Sequence, residues 1–322
     1  MSQNNSTFTF STLRQKVNIF CLICFLHLIL FIIYSNKINK MEISSIFLDL
    51  IPYLIPLLMI GVGTDLDIDS FKNLIVNTKS SLVGLLIQIT LLPIIGILTS
   101  LFIDNQSISI GIIVIMCAPG GHISSMYSSL MKGNVALTTS LTIITQLIAF
   151  ATIPFWLNIA SIFNENIGLQ VQINSTELLI QLLYLVLIPV FIGMILKHYF
   201  PQKALNSQTS IKKVFTVVTL VIAIGVPIEL RDIIFDIFRS SFIFVILNLI
   251  TIFIGINLIS KISKISEEDR MGILAEGTLQ NFPVAAAVAS LLGINVITIV
   301  ALNYFLISSI LVGFYAVYKS RN

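Results

Sequence analysis

The chain has 322 residues, 56% of them hydrophobic and only 10% charged, with a formal net charge of +3. Soluble proteins hold about a quarter of their residues as Asp, Glu, Lys or Arg, so this composition excludes a soluble domain and assigns most of the chain to a lipid bilayer. Three cysteines fit no disulfide framework, and His27, His122 and His198 are too few for a zinc centre or a nucleophile-base-acid set.

After a polar lead-in over Met1 to Thr12, apolar runs of spanning length recur with short polar breaks. The first runs from Val17 to Tyr34; Ser35-Asn36-Lys37 offers no small-residue cleavage site, so it reads as a helix and not a signal peptide. Cys21 and Cys24 within it share a helix face and read as packing groups, as does Cys117. Further runs cover Ile46–Gly63, Ser81–Ile103, Ile108–Lys132 and Ala136–Ile159. Five more lie near Leu178–Lys197, Val214–Leu230, Phe242–Ser260, Met271–Gly293 and Val296–Tyr318. The predicted fold is an all-α integral membrane protein of about ten transmembrane helices. Asp65-Leu66-Asp67-Ile68-Asp69 imitates the start of a calcium loop but lacks its glycine and closing glutamate, and reads as the end of the second span.

Basic residues orient the chain. With a cytoplasmic N-terminus, only Lys37, Lys40, Arg231 and Arg239 of the 18 lysines and arginines fall outside, a positive-inside bias that puts both termini in the cytoplasm. The net charge thus reports topology and not nucleic-acid binding. Five spans per half make the second half enter from the opposite side, so the halves are inverted repeats. The first repeat and the sixth span take residues 1–200, the remaining spans 201–322, with the natural joint between Lys197 and Lys213.

Two spans are interrupted at corresponding places: the fourth at Cys117-Ala-Pro-Gly-Gly-His-Ile-Ser-Ser125, the ninth at Glu276-Gly-Thr-Leu-Gln-Asn-Phe-Pro283. Unwound backbone persists in a bilayer only where protein, cavity water or an ion satisfies it. Paired breaks about half a chain apart point to a secondary carrier binding its ions and solute at the crossing. Glu276 lies about 10 Å inside the membrane at 1.5 Å per residue, level with Ser124, Ser125, the Thr138/Thr142 pair and Gln88, with Gln280 one turn further. No lysine or arginine lies in these spans, so a cation or a proton is expected to neutralise Glu276. Hydroxyl, amide and carboxylate oxygens suit sodium. Taken singly, Thr138 and Thr142 read equally as helical threonines bonding back to i−4 carbonyls, and Gln88 as interhelical glue.

The run Cys117-Ala-Pro-Gly-Gly-X-X-Ser, then Lys132-Gly-Asn-Val-Ala-Leu-Thr138-X-X-X-Thr142, resembles the fourth and fifth helices of the bile acid:sodium symporter family. Glu276-Gly-X-X-Gln280-Asn281 resembles its ninth helix, and Gln88, five before Pro93, its third. The resemblance implies two coupling sodium ions and no other cofactor. One would be held by Ser124, Ser125, Thr138, Thr142 and Glu276; the second by the Gln88 and Gln280 side chains with backbone carbonyls of Glu276, Gly277 and Leu279. It also implies a core of spans three to five and eight to ten moving against a panel of spans one, two, six and seven. The chain departs from the family pattern at three places: Ser125 stands where relatives carry Asn, His122 where they carry a small residue, and Ser308-Ser309 where many have His-Asn.

The half-helices resuming after Gly121 and near Asn281 present N–H groups and a positive dipole end to the crossing, which suits an anion. His122, Asn281, Ser308 and Ser309 are the candidate solute contacts; Asn281 reads equally as repair of the broken backbone beside Pro283. No Gly-rich phosphate loop is present, so ATP is not the expected energy source, and an embedded enzyme is not expected. The reading is a sodium-coupled symporter importing an organic anion across the plasma (inner) membrane, with a bile acid, keto acid or other small carboxylate or sulfate as cargo. A proton-coupled anion exchanger or exporter on the same scaffold and a non-transporting membrane anion receptor are the competing readings.

Overall fold

The computed structural model describes residues 46–65, 78–163, 175–201 and 217–321. The predicted first span, with Cys21 and Cys24, lies outside them, as do Asp67, Asp69 and most of the joint between the halves. Among the described residues all regular structure is helical, apart from one isolated antiparallel bridge between Gly120 and Gln280. The helices are α1 (Ile46–Asp65), α2 (Thr78–Ser100), α3 (Gln106–Cys117), α4 (Ser124–Leu130), α5 (Val135–Phe163), α6 (Thr176–Tyr199), α7 (Val217–Glu229), α8 (Arg231–Ile262), α9 (Glu267–Thr278), α10 (Phe282–Leu292) and α11 (Asn295–Arg321). α2, α5, α6, α8 and α11 are each long and apolar enough to cross a bilayer. The described residues are those of an all-α, multi-pass membrane protein.

The exposed face of α8 shows what solvent the fold expects. Ile243, Leu247, Ile250, Ile254 and Leu258 form an exposed stripe at three- and four-residue spacing, while Val245, Asn248, Ile252 and Ile256 are buried. A helix that turns its apolar residues outward and its asparagine inward is packed for lipid and not for water. α8 also begins eleven residues before the predicted span, at Arg231. No glycine or proline occurs between Arg231 and Ser241, so the polar start stays helical beyond the apolar run.

α2 and α6 each contain a π segment, Ile87–Leu91 and Leu183–Leu187, and each segment ends two residues before a proline, Pro93 or Pro189. A proline has no N–H to give to the carbonyl four residues back, and the widened turn absorbs the mismatch. α1 and α6 cross with their backbones in contact. A Cβ on Gly63 would lie 2.0 Å from Val190 O, and one on Gly193 would lie 2.1 Å from Ile60 O. Glycine is required at both positions because any side chain would push the helices apart.

The broken spans are built as expected locally. α3 ends at Cys117 and α4 starts at Ser124, with Ala118 extended and Pro119-Gly120-Gly121 between. α9 ends at Thr278, and α10 restarts at Phe282 with Pro283 in its first turn. Asn281 caps α10, its Oδ1 accepting from Val284 N–H at 3.2 Å. At the far end Gly293 takes the left-handed conformation, φ 65°, which closes the helix where a branched residue would be strained.

Candidate functional site: the crossing of two unwound segments

The two breaks satisfy each other. Gly121 N–H donates to Leu279 O at 2.6 Å, and Asn281 N–H donates to Pro119 O at 2.8 Å. These two bonds are a minimal antiparallel ladder about Gly120 and Gln280, and they answer the demand that buried backbone polar groups find partners. Tyr304 on α11 adds a third tie, its hydroxyl donating to Thr278 O at 3.1 Å.

This crossing sets the Glu276 carboxyl, which is 1% exposed, against α4 and α5. Ser124 Oγ lies 2.7 Å and Thr142 Oγ1 2.6 Å from Glu276 Oε2. The two hydroxyl oxygens are 3.5 Å from each other. Oε1 is buried and has no hydrogen-bond partner among the described residues; it rests on the Cα of Gly120, where a Cβ would lie 1.8 Å away. No residue of 80–131, 133–196 or 271–318 is a lysine or arginine, so the stretches of chain around this carboxyl bring no fixed positive charge to it.

The hydroxyl protons are fewer than the acceptors. Thr142 Oγ1 is also 3.0 Å from Thr138 O, and its single hydrogen serves either that carbonyl or the carboxyl. With the hydrogen on Thr138 O, as helical threonines commonly arrange, an oxygen lone pair of Thr142 faces Glu276 Oε2. Only a cation or a proton between them relieves that opposition. The donor set, two hydroxyls and a carboxyl with no nitrogen or sulfur, matches the preference of a hard cation for oxygen.

The remaining residues expected at the first ion site stand further back. Thr138 Oγ1 lies 2.9 Å from Ser128 Oγ and 3.0 Å from Asn134 O, one turn below Thr142. Ser125 Oγ is 2.9 Å from Thr139 Oγ1, engaged on the neighbouring face of α5. Asn134 caps α5 through Leu137 N–H and donates to Asp269 Oδ1 at 2.7 Å, while Ser80 donates to Asp269 Oδ2 at 2.7 Å. Asp269 thereby ties the ends of α2, α5 and α9. Sequence reasoning gave Asn134 no role beyond its place in the run from Lys132 and gave Asp269 none; the signal for Asn134 was a capping residue directly before an apolar helix.

The second group centres on two glutamines. Gln88 Nε2 donates to Gln280 Oε1 at 2.8 Å and to Ala118 O at 2.9 Å. Gln280 Nε2 donates to Gly277 O at 2.8 Å. Gln88 Oε1 is buried and without a partner among the described residues. Leu279 O is taken up by Gly121 N–H. Gly277 packs tightly on α8, where a Cβ would meet Ile256 Cδ1 at 2.7 Å.

The expected solute contacts divide. His122 is half-buried in the turn leading into α4. Asn281 is buried with its Nδ2 unpartnered among the described residues, having spent Oδ1 on the cap. Ser308 and Ser309 are buried within α11. Ser308 Oγ bonds back to Phe305 O at 3.2 Å, and Ser309 O accepts from Tyr127 OH at 3.1 Å.

Comparison with known proteins follows the same lines. A model of the sodium bile acid symporter family matches residues 52–235, which include Gln88, Ser124 and Thr142 and stop short of Glu276. A sodium-dependent transporter of Bacillus subtilis is 27% identical over 237 residues, 73% of this chain and 71% of that protein. The human ileal sodium/bile acid cotransporter is 28% identical over 170 residues, 52% of this chain and 47% of its own length. A probable chloroplastic sodium/metabolite cotransporter of rice is 27% identical over 146 residues, 45% of this chain and 33% of its own. This chain thus spans less than half of the human and rice proteins. With more than half of its length matched by the family model, the chain belongs to the sodium bile acid symporter family, whose members are transporters and not enzymes.

Proposed function

We propose that the protein is a sodium-coupled secondary symporter that imports an organic anion by alternating access. The observation that carries the reading is the Glu276 carboxyl: buried, met among the described residues by two hydroxyls and Gly120, and with no lysine or arginine in 80–131, 133–196 or 271–318 around it. Two sodium ions would be held at the crossing. The first would take oxygens of Ser124, Thr142 and Glu276, with Thr138 and Ser125 joining after small rotations; the second would take Gln88, Gln280 and carbonyls of Glu276, Gly277 and Leu279. An ion between the segments offsets the carboxylate and holds both breaks in register. The solute site near His122, Asn281, Ser308 and Ser309 then forms only in the loaded protein, and coupling follows from that difference in affinity.

Ten helices in two inverted repeats, a panel carrying α1, α6 and α7, and a core carrying the remaining described helices complete the proposal. The direct backbone contact of α1 with α6 supports the panel, and the ladder between the two breaks supports the core. Both termini would face the cytoplasm across the plasma membrane. The printed names of the relatives, bile acid and metabolite cotransporters, make bile acids and small carboxylates the first solutes to test. The test is uptake of radiolabelled taurocholate, pyruvate and pantoate into proteoliposomes holding the full chain. An inward sodium gradient is expected to drive accumulation of one of them; uptake indifferent to sodium sinks the reading.

The shared hydrogen of Thr142 also fits a second reading, in which Glu276 itself is protonated and donates to Thr142 while Thr142 donates to Thr138 O. An inward pH gradient would then drive the same uptake without sodium.

A further inference from the structure

The chain has one tryptophan, and it holds the turn that carries Gln88. α2 widens at Ile87–Leu91, where Leu92 N–H donates to Ile87 O. Pro93 follows, four residues after Ile89, and has no N–H to give to the Ile89 carbonyl. Trp156, on α5, supplies the donor: its indole Nε1–H meets Ile89 O at 2.7 Å. A residue 67 positions away thus satisfies a carbonyl of the π segment.

Gln88 precedes Ile89 on this segment and reaches into the crossing, with its Nε2 on Ala118 O and Gln280 Oε1 and its buried Oε1 unpartnered among the described residues. Gln88, Ile89, Ala118, Pro119, Thr145 and Trp156 line one cavity of about 10 Å³, room for a single water or a small ion. The indole therefore holds the backbone behind Gln88 and also forms a wall of the space into which Gln88 faces.

We propose that Trp156 is a positioning residue for the second cation site: by satisfying Ile89 O it keeps α2 in the π turn and so aims Gln88 at the broken helices. The proposal rests on the sodium reading above. Groups that orient a metal ligand are worth about ten- to a hundredfold in affinity when removed. Because no other tryptophan contributes, the emission of Trp156 reports what happens in that cavity.

The experiment uses the full chain in lipid nanodiscs, titrated with sodium chloride against choline chloride at constant ionic strength, by tryptophan emission and by calorimetry. Wild-type emission is expected to change with sodium and not with choline, and Gln88→Ala to abolish the change. Trp156→Phe keeps an aromatic ring without the donor. It is expected to bind one of the two ions about tenfold more weakly while its melting temperature stays close to that of the wild type.

Pro93→Ala restores an N–H for Ile89 O and lets the turn close as an α-helix. It is expected to weaken the same ion by itself and to add nothing when combined with Trp156→Phe, since both act through one carbonyl. Sodium binding by Trp156→Phe indistinguishable from wild type, or penalties of the two substitutions that multiply, overturns the positioning role and leaves the sodium reading standing. If Trp156→Phe does not fold, unchanged sodium affinity in Pro93→Ala overturns it alone. Absence of sodium binding to the wild type in calorimetry overturns both.

Discussion

A side chain at position 120 and the Glu276 carboxyl would occupy the same space: a Cβ on Gly120 would lie 1.8 Å from Glu276 Oε1 and 2.5 Å from Oε2. The carboxyl is closed in by the backbone of the opposite break, and its position depends on that contact. Gly120→Ala is therefore expected to expel the carboxyl from its place beside Ser124 and Thr142. Sodium-driven uptake should fall to background, with the protein still extracted as a folded monodisperse species. Retention of coupled uptake by Gly120→Ala would show that the carboxyl does not need this seat.

Two hydroxyls near the crossing, one on α5 and one on α4, should differ in importance. Thr142 touches the Glu276 carboxyl at 2.6 Å, whereas the Ser125 hydroxyl is engaged with Thr139. Thr142→Val, which keeps the shape and removes the oxygen, is expected to weaken sodium binding by about tenfold or more. Ser125→Ala should weaken it less, and Ser125→Asn, with a longer arm carrying an amide oxygen, should strengthen it. Calorimetric titration with sodium checks all three; equal losses in Thr142→Val and Ser125→Ala would contradict the geometry.

The contact of α1 with α6 is expected to tolerate no side chain. Gly63→Ala places a methyl 2.0 Å from Val190 O and Gly193→Ala places one 2.1 Å from Ile60 O. Each substitution should cost about 1–3 kcal/mol through overpacking and lower the melting temperature in detergent. Because the atoms met there, of Ile60, Gly63, Val190 and Gly193, belong to none of the candidate ion ligands, sodium affinity should change less than stability does.

At the start of α9, Glu267 accepts from Lys319 at 2.9 Å and also pairs with Arg270. The hydrogen bond from Lys319, followed by the Arg270 contacts, holds its carboxyl below the usual carboxylate value. A carboxyl lowered in this way contributes stability that is fully present above its unfolded value and lost as pH falls through the folded one. Acid should therefore loosen the tie between α9 and the end of α11, and Glu267→Gln should remove that part of the acid sensitivity. The pair is solvent-exposed, so the effect should be small and should shrink further at high salt. A pH series of melting curves for the two proteins is the measurement.

Much of the architecture is legible in the chain itself. Apolar runs located the helices from Ile46 onward, and Pro119-Gly120-Gly121 and Phe282-Pro283 located the breaks, because proline and glycine act on their own backbone. The start of α8 at Arg231 was not legible, since hydropathy marks where a helix enters the apolar layer and not where it begins. The roles of Asp269 and Trp156 were not legible either. Ser80 and Asp269 are 189 positions apart, and Ile89 and Trp156 are 67 apart, so no local spacing announces either contact.

Composition, the placing of charges and the prolines and glycines of two spans by themselves determined that this chain lives in a bilayer, that two of its spans are interrupted, and that Glu276 sits deep without a basic partner. Those are properties of single segments exchanged between water and lipid. Only the tertiary structure decided which oxygens meet that acid. Ser124 and Ser125 are adjacent in sequence and alike in chemistry, yet successive side chains of a helix point about 100° apart, and the crossing of the two breaks turned one toward Glu276 and the other toward Thr139.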